Sequence, residues 1–343
     1  MFDKILDIHF SPDNGTPYWL DCLNQNGLQR TDFQTLEDLQ QLGPMNIEAM
    51  RSRPVTDFIP RFLYPRMGEM VLAETGGTTG DPCRRVYLPE EFHAAFVKPW
   101  LQAVDHFHFP LNQTWLFVGP SGPHIIAQAA RAFARATNSL EPFSIDCDVR
   151  WIKQQQADSM GHTLYMDHLL NQALNIITQQ DITVLFTTPP LLLALARQMT
   201  QEQRQRIEGI HTGGMAQDKE TSSQLAILFP SAIILPGFGN SLFGVAFEKE
   251  QIANQSSIFF VQDPSLHIQL IPLPENDQES PRLTETVAGG KRGRIMFHRF
   301  DQSFLIINML ERDTAIQVIK DGKQGMQNIE GLHFQQKKSG GVY

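Results

Sequence analysis

A chain of 343 residues, 41 % hydrophobic and 19 % charged, is long enough to bury a large core and has the balance of a folded globular protein, which excludes a disordered one. With 37 acidic against 28 basic residues the formal charge is −9, which excludes nucleic acid and anionic membranes as general partners but leaves room for a local anion site. No apolar run approaches the roughly 18 residues of a spanning helix, and Met1-Phe2-Asp3-Lys4 is no basic leader, so a cytoplasmic location is expected.

In chain order, the amphipathic Thr35–Leu42 predicts a short helix, and the apolar Met70-Val71-Leu72 and strand-like Arg85-Val86-Tyr87-Leu88 flank the loop Thr75-Gly76-Gly77-Thr78-Thr79-Gly80-Asp81-Pro82. Pro89-Glu90-Glu91 opens a helix running to about His108, followed by a strand at Trp115–Val118 and a break at Gly119-Pro120-Ser121-Gly122-Pro123. An alanine-rich helix from His124 to about Ala136, a strand over Phe143–Val149, a helix over His162–Ile177 and a strand at Thr183–Phe186 come next. A helix begins near Pro190. Ile207–His211 then reads as a strand, Thr212-Gly213-Gly214-Met215 as a turn, Lys219–Leu228 as a helix and Ala232–Leu235 as a strand before the turn Pro236-Gly237-Phe238-Gly239-Asn240-Ser241. Apolar strands alternating with helices predict an α/β fold with a mostly parallel sheet flanked by helices, and ligands at the carboxyl ends of its strands. Beyond residue 243 short strands follow without helices (Gly244–Glu248, Ser257–Val261, His267–Ile271, Arg294–His298, Leu305–Asn308), so the expected organisation is an α/β part over 1–243 and a β-rich subdomain over 244–343.

The loop at 75–82 carries the clearest chemistry. Gly76, Gly77 and Gly80 let the backbone turn its N–H groups towards one point, and the hydroxyls of Thr75, Thr78 and Thr79 add donors, which makes a phosphate cradle. It is not a Walker A motif, because Asp81-Pro82-Cys83 stands where a lysine and a hydroxyl residue would follow. The glycine turns at 213–214 and 237–239 fall at other strand ends and suggest a nucleotide, with Phe238 free to stack or to belong to the core. Cys22, Cys83 and Cys147 are too widely spaced for a disulfide framework, and Asp146-Cys147-Asp148 with His106 and His108 matches no ligand pattern, so no protein-held metal is expected.

The order of these elements resembles the adenylate-forming superfamily of acyl-CoA synthetases and nonribosomal adenylation domains. Thr75–Pro82 is similar to its phosphate loop, His211–Met215 to its adenine-side Gly-Gly segment and Phe238–Ser241 to its aromatic-Gly-x-Thr segment. Thr35–Leu42 with Asn46–Arg51, and the Gly119–His124 turn, resemble the phenylacetate-CoA ligase branch, which includes proteins that activate phenazine carboxylates for antibiotic biosynthesis; the similarity runs over roughly residues 30 to 315. The resemblance implies a ligase that uses ATP, with Mg²⁺, to turn an aromatic carboxylate into an acyl-adenylate. By the same resemblance Thr75, Thr78 and Thr79 hold phosphates, Gly76, Gly77, Gly80, Gly213, Gly214, Met215, Phe238, Gly239, Asn240 and Ser241 lie around the nucleotide, Asp313 holds the ribose, and Gly122, His124 and Phe238 lie near the acid.

The departures are specific. Pro82-Cys83 replaces the family's Pro-Lys, leaving Arg84 and Arg85 to supply the charge, and Leu242 replaces the acidic Mg²⁺ contact. The family adds a mobile C-terminal domain with a catalytic lysine; here thirty residues follow Asp313, and Lys337 and Lys338 are poor substitutes. The expectation is an acyl-adenylate passed to a partner such as a reductase or another acyl acceptor, slow thioester formation with coenzyme A, and a homodimer as the default assembly. Trp115, Phe117, Phe238 and Phe243 suit an aryl or fused-ring acid, although core packing explains at least half of them equally well. A non-catalytic nucleotide- or acyl-adenylate-binding protein and a scaffold with purely structural glycine turns are compatible with the same residues.

Overall fold

The computed structural model describes residues 1–77, 80–157, 159–215, 217–247, 258–261, 263–274, 279–320 and 323–332. Helices α1 (Phe2–His9), α2 (Pro17–Asn26) and α3 (Ile47–Ser52) precede the paired strands β1 (Val71–Glu74) and β2 (Arg84–Tyr87), which flank the glycine-threonine loop. Then come α4 (Pro89–Phe92), α5 (Lys98–Phe107), β3 (Trp115–Gly119), α6 (Ile125–Ala136), β4 (Phe143–Asp146), α7 (Val149–Gln154), α8 (Met160–Gln179), β5 (Val184–Thr187), α9 (Pro189–Gln198) and α10 (Gln201–Gln205). The chain continues through β6 (Gly209–Thr212), α11 (Lys219–Leu228), β7 (Ile233–Asn240), β8 (Gly244–Phe247), β9 (Ile258–Phe260), β10 (Leu266–Ile271), β11 (Arg292–Phe300), β12 (Leu305–Lys320) and β13 (Lys323–Gly331). No helix among the described residues is long and apolar enough to cross a membrane.

The chain divides into two compact units, and the division differs from a single cut at 243. One holds 1–73, 83–94 and the described residues from 258 to 332; the other holds the described residues of 74–82 and 95–247, so that Glu74 at the end of β1 belongs to it. The expected parallel sheet belongs to the second unit, in the order β4-β3-β5-β6-β7-β8, parallel from β4 to β7 and closed by antiparallel β8. Side chains alternate across it. Leu116, Leu185 and Ile210 face a core built with α8, α9 and α11, while Phe117, Phe186 and His211 join Trp100 and Phe133 in an aromatic layer on the other face.

Three local readings change. Thr35–Leu42 forms only a 3-10 turn over Glu37–Leu42. The strand read to Val149 ends at Asp146, because the Asp148 carboxylate accepts from the N–H groups of Arg150 and Trp151, both at 3.0 Å, and starts α7. The glycines at 237–239 lie inside β7, paired with β8, rather than in a turn beyond it.

The first unit carries an antiparallel sheet in the order β10-β11-β12-β13-β9, longer in β12 and β13 than the local patterns indicate. Its core contains a balanced ion cluster: Arg85 Nη2 lies 2.7 Å from Asp301 Oδ2, Arg299 Nε 2.5 Å from the same oxygen, and Arg299 Nη2 2.8 Å from Asp263 Oδ2. Both guanidinium side chains are 0 % exposed, so charge is tolerated there only because it is paired. His9 closes the cluster's rim. Its Nε2 donates to the Asp301 carbonyl at 2.8 Å, so Nδ1 accepts from the Thr16 hydroxyl at 2.6 Å and the ring is neutral.

Burial holds the His9 pKa down at about 4, from an ordinary 6.5, and does the same to His298. The unfolded chain therefore binds more protons than the folded one between pH 6.5 and 4; the histidine contribution is complete above 6.5 and is lost as pH falls through that window. Buried Glu91, whose pKa burial raises, works in the opposite direction. Urea midpoints should fall from pH 7 to 4.5, and His9→Gln, whose amide can keep both hydrogen bonds, should flatten the dependence by up to about 1.4 kcal/mol per pH unit.

Candidate functional site

The second unit gathers its site around Glu74, the last residue of β1, which is 8 % exposed. Its N–H donates to the Pro123 carbonyl at 2.9 Å, its carbonyl accepts from Ser241 Oγ at 2.7 Å, and its carboxylate lies 2.5 Å from Arg150 Nη2. The start of the glycine-threonine loop, the turn before α6, the end of β7 and α7 are thereby held together. Because Asp148 starts α7, Arg150 and Lys153 fall three residues apart on one side of it. Lys153 Nζ donates to the Gly76 carbonyl at 3.2 Å, and burial, with Arg150 beside it, pulls its pKa down.

A cavity of about 170 Å³ opens here. Thr75, Gly76, His124, Lys153, Asn240 and Ser241 give it polar groups, and Phe96, Ile126, Phe133, Phe186 and Val245 give it an apolar wall. His124 caps α6: its Nδ1 accepts from the Ile126 N–H at 3.4 Å, so Nε2 carries the proton. Burial, reinforced by Arg150 and Lys153, lowers its pKa to about 4 and keeps it a neutral donor. His211 has the opposite tautomer, since Nδ1 lies 2.7 Å from the Leu235 carbonyl, which can only accept; burial lowers its pKa to about 4 as well. A cation, a neutral N–H donor and loop N–H groups beside an apolar wall can take an anionic head on an uncharged body.

Of the residues singled out from sequence, Thr75, Gly76, His124, Gly213, Gly214, Gly239, Asn240 and Ser241 line this one cavity. Gly77 at φ +60° and Gly122 at φ +68° occupy the left-handed region that their turns require, while Gly80 at φ +151° shapes the loop's exit. Thr78 and Thr79, like Lys337 and Lys338, lie outside the described residues. Met215 does not line the cavity, nor does Phe238, whose ring packs on Phe243 at 5.5 Å. Trp115, Phe117 and Phe243 are core residues rather than cavity walls. Asp313 lies in β12 of the other unit, opposite Gly331, where burial raises its pKa. Arg85 is committed to Asp301 in that unit's core and is not the loop's counter-charge. Asn240 Oδ1 accepts from the N–H groups of Leu242 and Phe243 at 2.8 and 3.1 Å, so its side chain also shapes the turn. The three cysteines are free, and the described residues hold no cluster of three metal-ligating side chains.

Glu74, Arg150 and Lys153 have no distinguishing local motif. The one available signal is Asp148 as a helix cap, which predicts α7 and with it a basic pair on a helix behind the loop.

Comparison with solved structures identifies the architecture. The chain matches the crystal structure of an open conformation of 2-hydroxyisobutyryl-CoA ligase in complex with 2-HIB-AMP and CoA, with a TM-score of 0.66 at 13 % identity over 96 % of this chain and 68 % of the ligase. The same ligase in its thioesterification state gives 0.66 at 14 % identity over 96 % and 66 %. An ATP-bound RpMatB-BxBclM chimera gives 0.50 at 14 % identity over 76 % and 47 %. This chain thus spans about two thirds of the ligase's length. These neighbours are adenylate-forming enzymes, and the chain has the fold of their N-terminal domain. No family model and no curated protein matches the sequence.

Two glycines of the site should respond differently to alanine. A Cβ on Gly76 would meet only His124 Nε2 at 3.6 Å and Lys153 Nζ at 3.9 Å, whereas one on Gly237 would lie 2.8 Å from the buried His211 Cε1. Urea titration of Gly76→Ala should show stability within about 0.5 kcal/mol of wild type, with weakened anion binding, while Gly237→Ala should lose about 1–3 kcal/mol.

Proposed function

We propose that this chain joins a carboxylic acid to ATP, producing an acyl-adenylate and pyrophosphate. The observation that carries the reading is Lys153, a half-buried cation hydrogen-bonded to the phosphate-loop carbonyl of Gly76 beside the neutral donor His124, on the wall of an apolar cavity. In the reaction a carboxylate oxygen bonds to the α-phosphorus, the bond from that phosphorus to the bridging oxygen breaks, and pyrophosphate leaves with the electron pair. Two anions must meet, so donors and counter-charge fixed beforehand lower the barrier. Lys153 supplies the charge that Cys83 cannot.

The remaining assignments rest on the resemblance. Thr75, with Thr78 and Thr79, takes the β- and γ-phosphates, and Gly213, Gly214 and Ser241 border the adenine. The ligase neighbour's 2-HIB-AMP and the chimera's ATP are ligands of this architecture and support the reading. Leu242 is buried at the turn where the superfamily has an acidic residue, which does not fit a protein-held Mg²⁺; the ion would enter on the triphosphate, and no step is assigned to it. A cavity of about 170 Å³ has room for a single aromatic ring or a short branched chain, since roughly 150 Å³ already holds a benzene. The acyl-adenylate, a reactive mixed anhydride, then passes to a nucleophile on a partner acceptor.

Acid-dependent exchange of labelled pyrophosphate into ATP tests the proposal. Lys153→Met should lower kcat/KM at least about 100-fold and Lys153→Arg should retain part of it. ATP binding without exchange for any acid would leave a nucleotide-binding protein and no ligase.

A further inference from the structure

The aromatic layer beneath the cavity contains, besides the buried indole N–H of Trp100, an imidazole that belongs to the cavity's own lining, that of His211. His211 is 2 % exposed, and its ring lies 4.3 Å from Phe186, 5.4 Å from Trp100, 5.5 Å from Phe247 and 5.6 Å from Phe133. Its proton is on Nδ1, bonded to the Leu235 carbonyl, so Nε2 keeps a lone pair that no described residue meets. That nitrogen faces two glycines of the cavity wall: a Cβ on Gly237 would lie 3.4 Å from it and one on Gly213 3.7 Å.

A ligand that fills the cavity without offering Nε2 a donor shuts this acceptor away from water, at a cost of about 1–3 kcal/mol, whereas one that brings a donor avoids the cost. Sites of this kind discriminate strongly against an analogue lacking the donor, because the protein's own polar atom is then stranded.

Resting on the reading that this cavity takes the acyl group, we propose that His211 Nε2 accepts a hydrogen bond from a hydroxyl or amino substituent of the acid, so that the substrate is a small hydroxy- or amino-carboxylic acid. His124 and Lys153 meet the carboxylate as donors and His211 meets the substituent as an acceptor. The two histidines thus read opposite ends of one small molecule through opposite tautomers.

The test uses isosteric pairs that exchange hydroxyl for methyl: 2-, 3- and 4-hydroxybenzoate against the methylbenzoates, and 2-hydroxyisobutyrate against pivalate, with the three aminobenzoates alongside. Calorimetric binding in the presence of AMP and pyrophosphate exchange are both measured. The best donor-bearing acid should exceed its methyl partner by about tenfold or more in each. His211→Leu should abolish or invert that ratio. In case that buried substitution prevents folding, Gly213→Ala covers Nε2 at ordinary contact distances, 3.5 Å from Phe186 and 3.8 Å from Ile126, and should fold and lose the preference. Equal use of both members of every pair by the wild type overturns the proposal while leaving adenylation intact. A donor preference in binding with no exchange supports it and removes the ligase reading; a chain that binds none of the acids overturns both.

Discussion

The site depends on how one residue is held. Glu74 ends a short strand with its N–H, its carbonyl and its carboxylate all committed to different segments: Pro123, Ser241 and Arg150. A glycine-rich loop has little stiffness of its own, so the placement of its N–H groups needs a fixed point at its base. Glu74 supplies it, and the same contacts bring in the helix that carries Lys153. Arg150 is half exposed and its pairing alone is worth little. The value of the arrangement lies in three partners converging on one nearly buried residue.

The charge pattern of the cavity follows from that convergence. The glycine-threonine loop, which has no lysine of its own, meets a cation from α7, whose Nζ lies 3.2 Å from the Gly76 carbonyl. His124 stays neutral because its burial is deepened electrostatically by the two basic residues beside it. A proton on His124 would add repulsion to a site already carrying two cations, so its donor hydrogen is delivered without net charge. His211, fully enclosed by aromatic rings, is neutral for the simpler reason of desolvation.

The wall of the cavity is made by backbone as much as by side chains. Gly239 allows β7 to run within contact of the Gly244 carbonyl, where a Cβ would lie 2.2 Å away, and Gly237 gives the His211 ring its room. These glycines lie in a paired strand rather than a free turn, so β8 holds the wall in register. A cavity with a few oriented polar atoms beside an apolar wall selects by shape and hydrogen bonding together.

Periodicity alone determined that the sheet is mostly parallel and covered by helices, since apolar strands at 115, 184, 209 and 233 alternating with helices are buried on both faces. The strand order β4-β3-β5-β6-β7-β8 and the register were decided by the tertiary structure. The glycine-threonine loop was legible because its chemistry is written in consecutive residues. Three features were not. Lys153 acts on Gly76 from 77 positions away, Ser241 reaches Glu74 across 167, and His211 becomes an acceptor only because Leu235, 24 residues on, fixes its tautomer. Arg85 shows the converse: local sequence placed it beside the loop as a counter-charge, and folding pairs it with Asp301 in a buried ion cluster. Sequence encodes the strong local preferences of the backbone; which side chains share a cavity, and which protons they carry, is decided by burial and long-range pairing that exist only once the chain has folded.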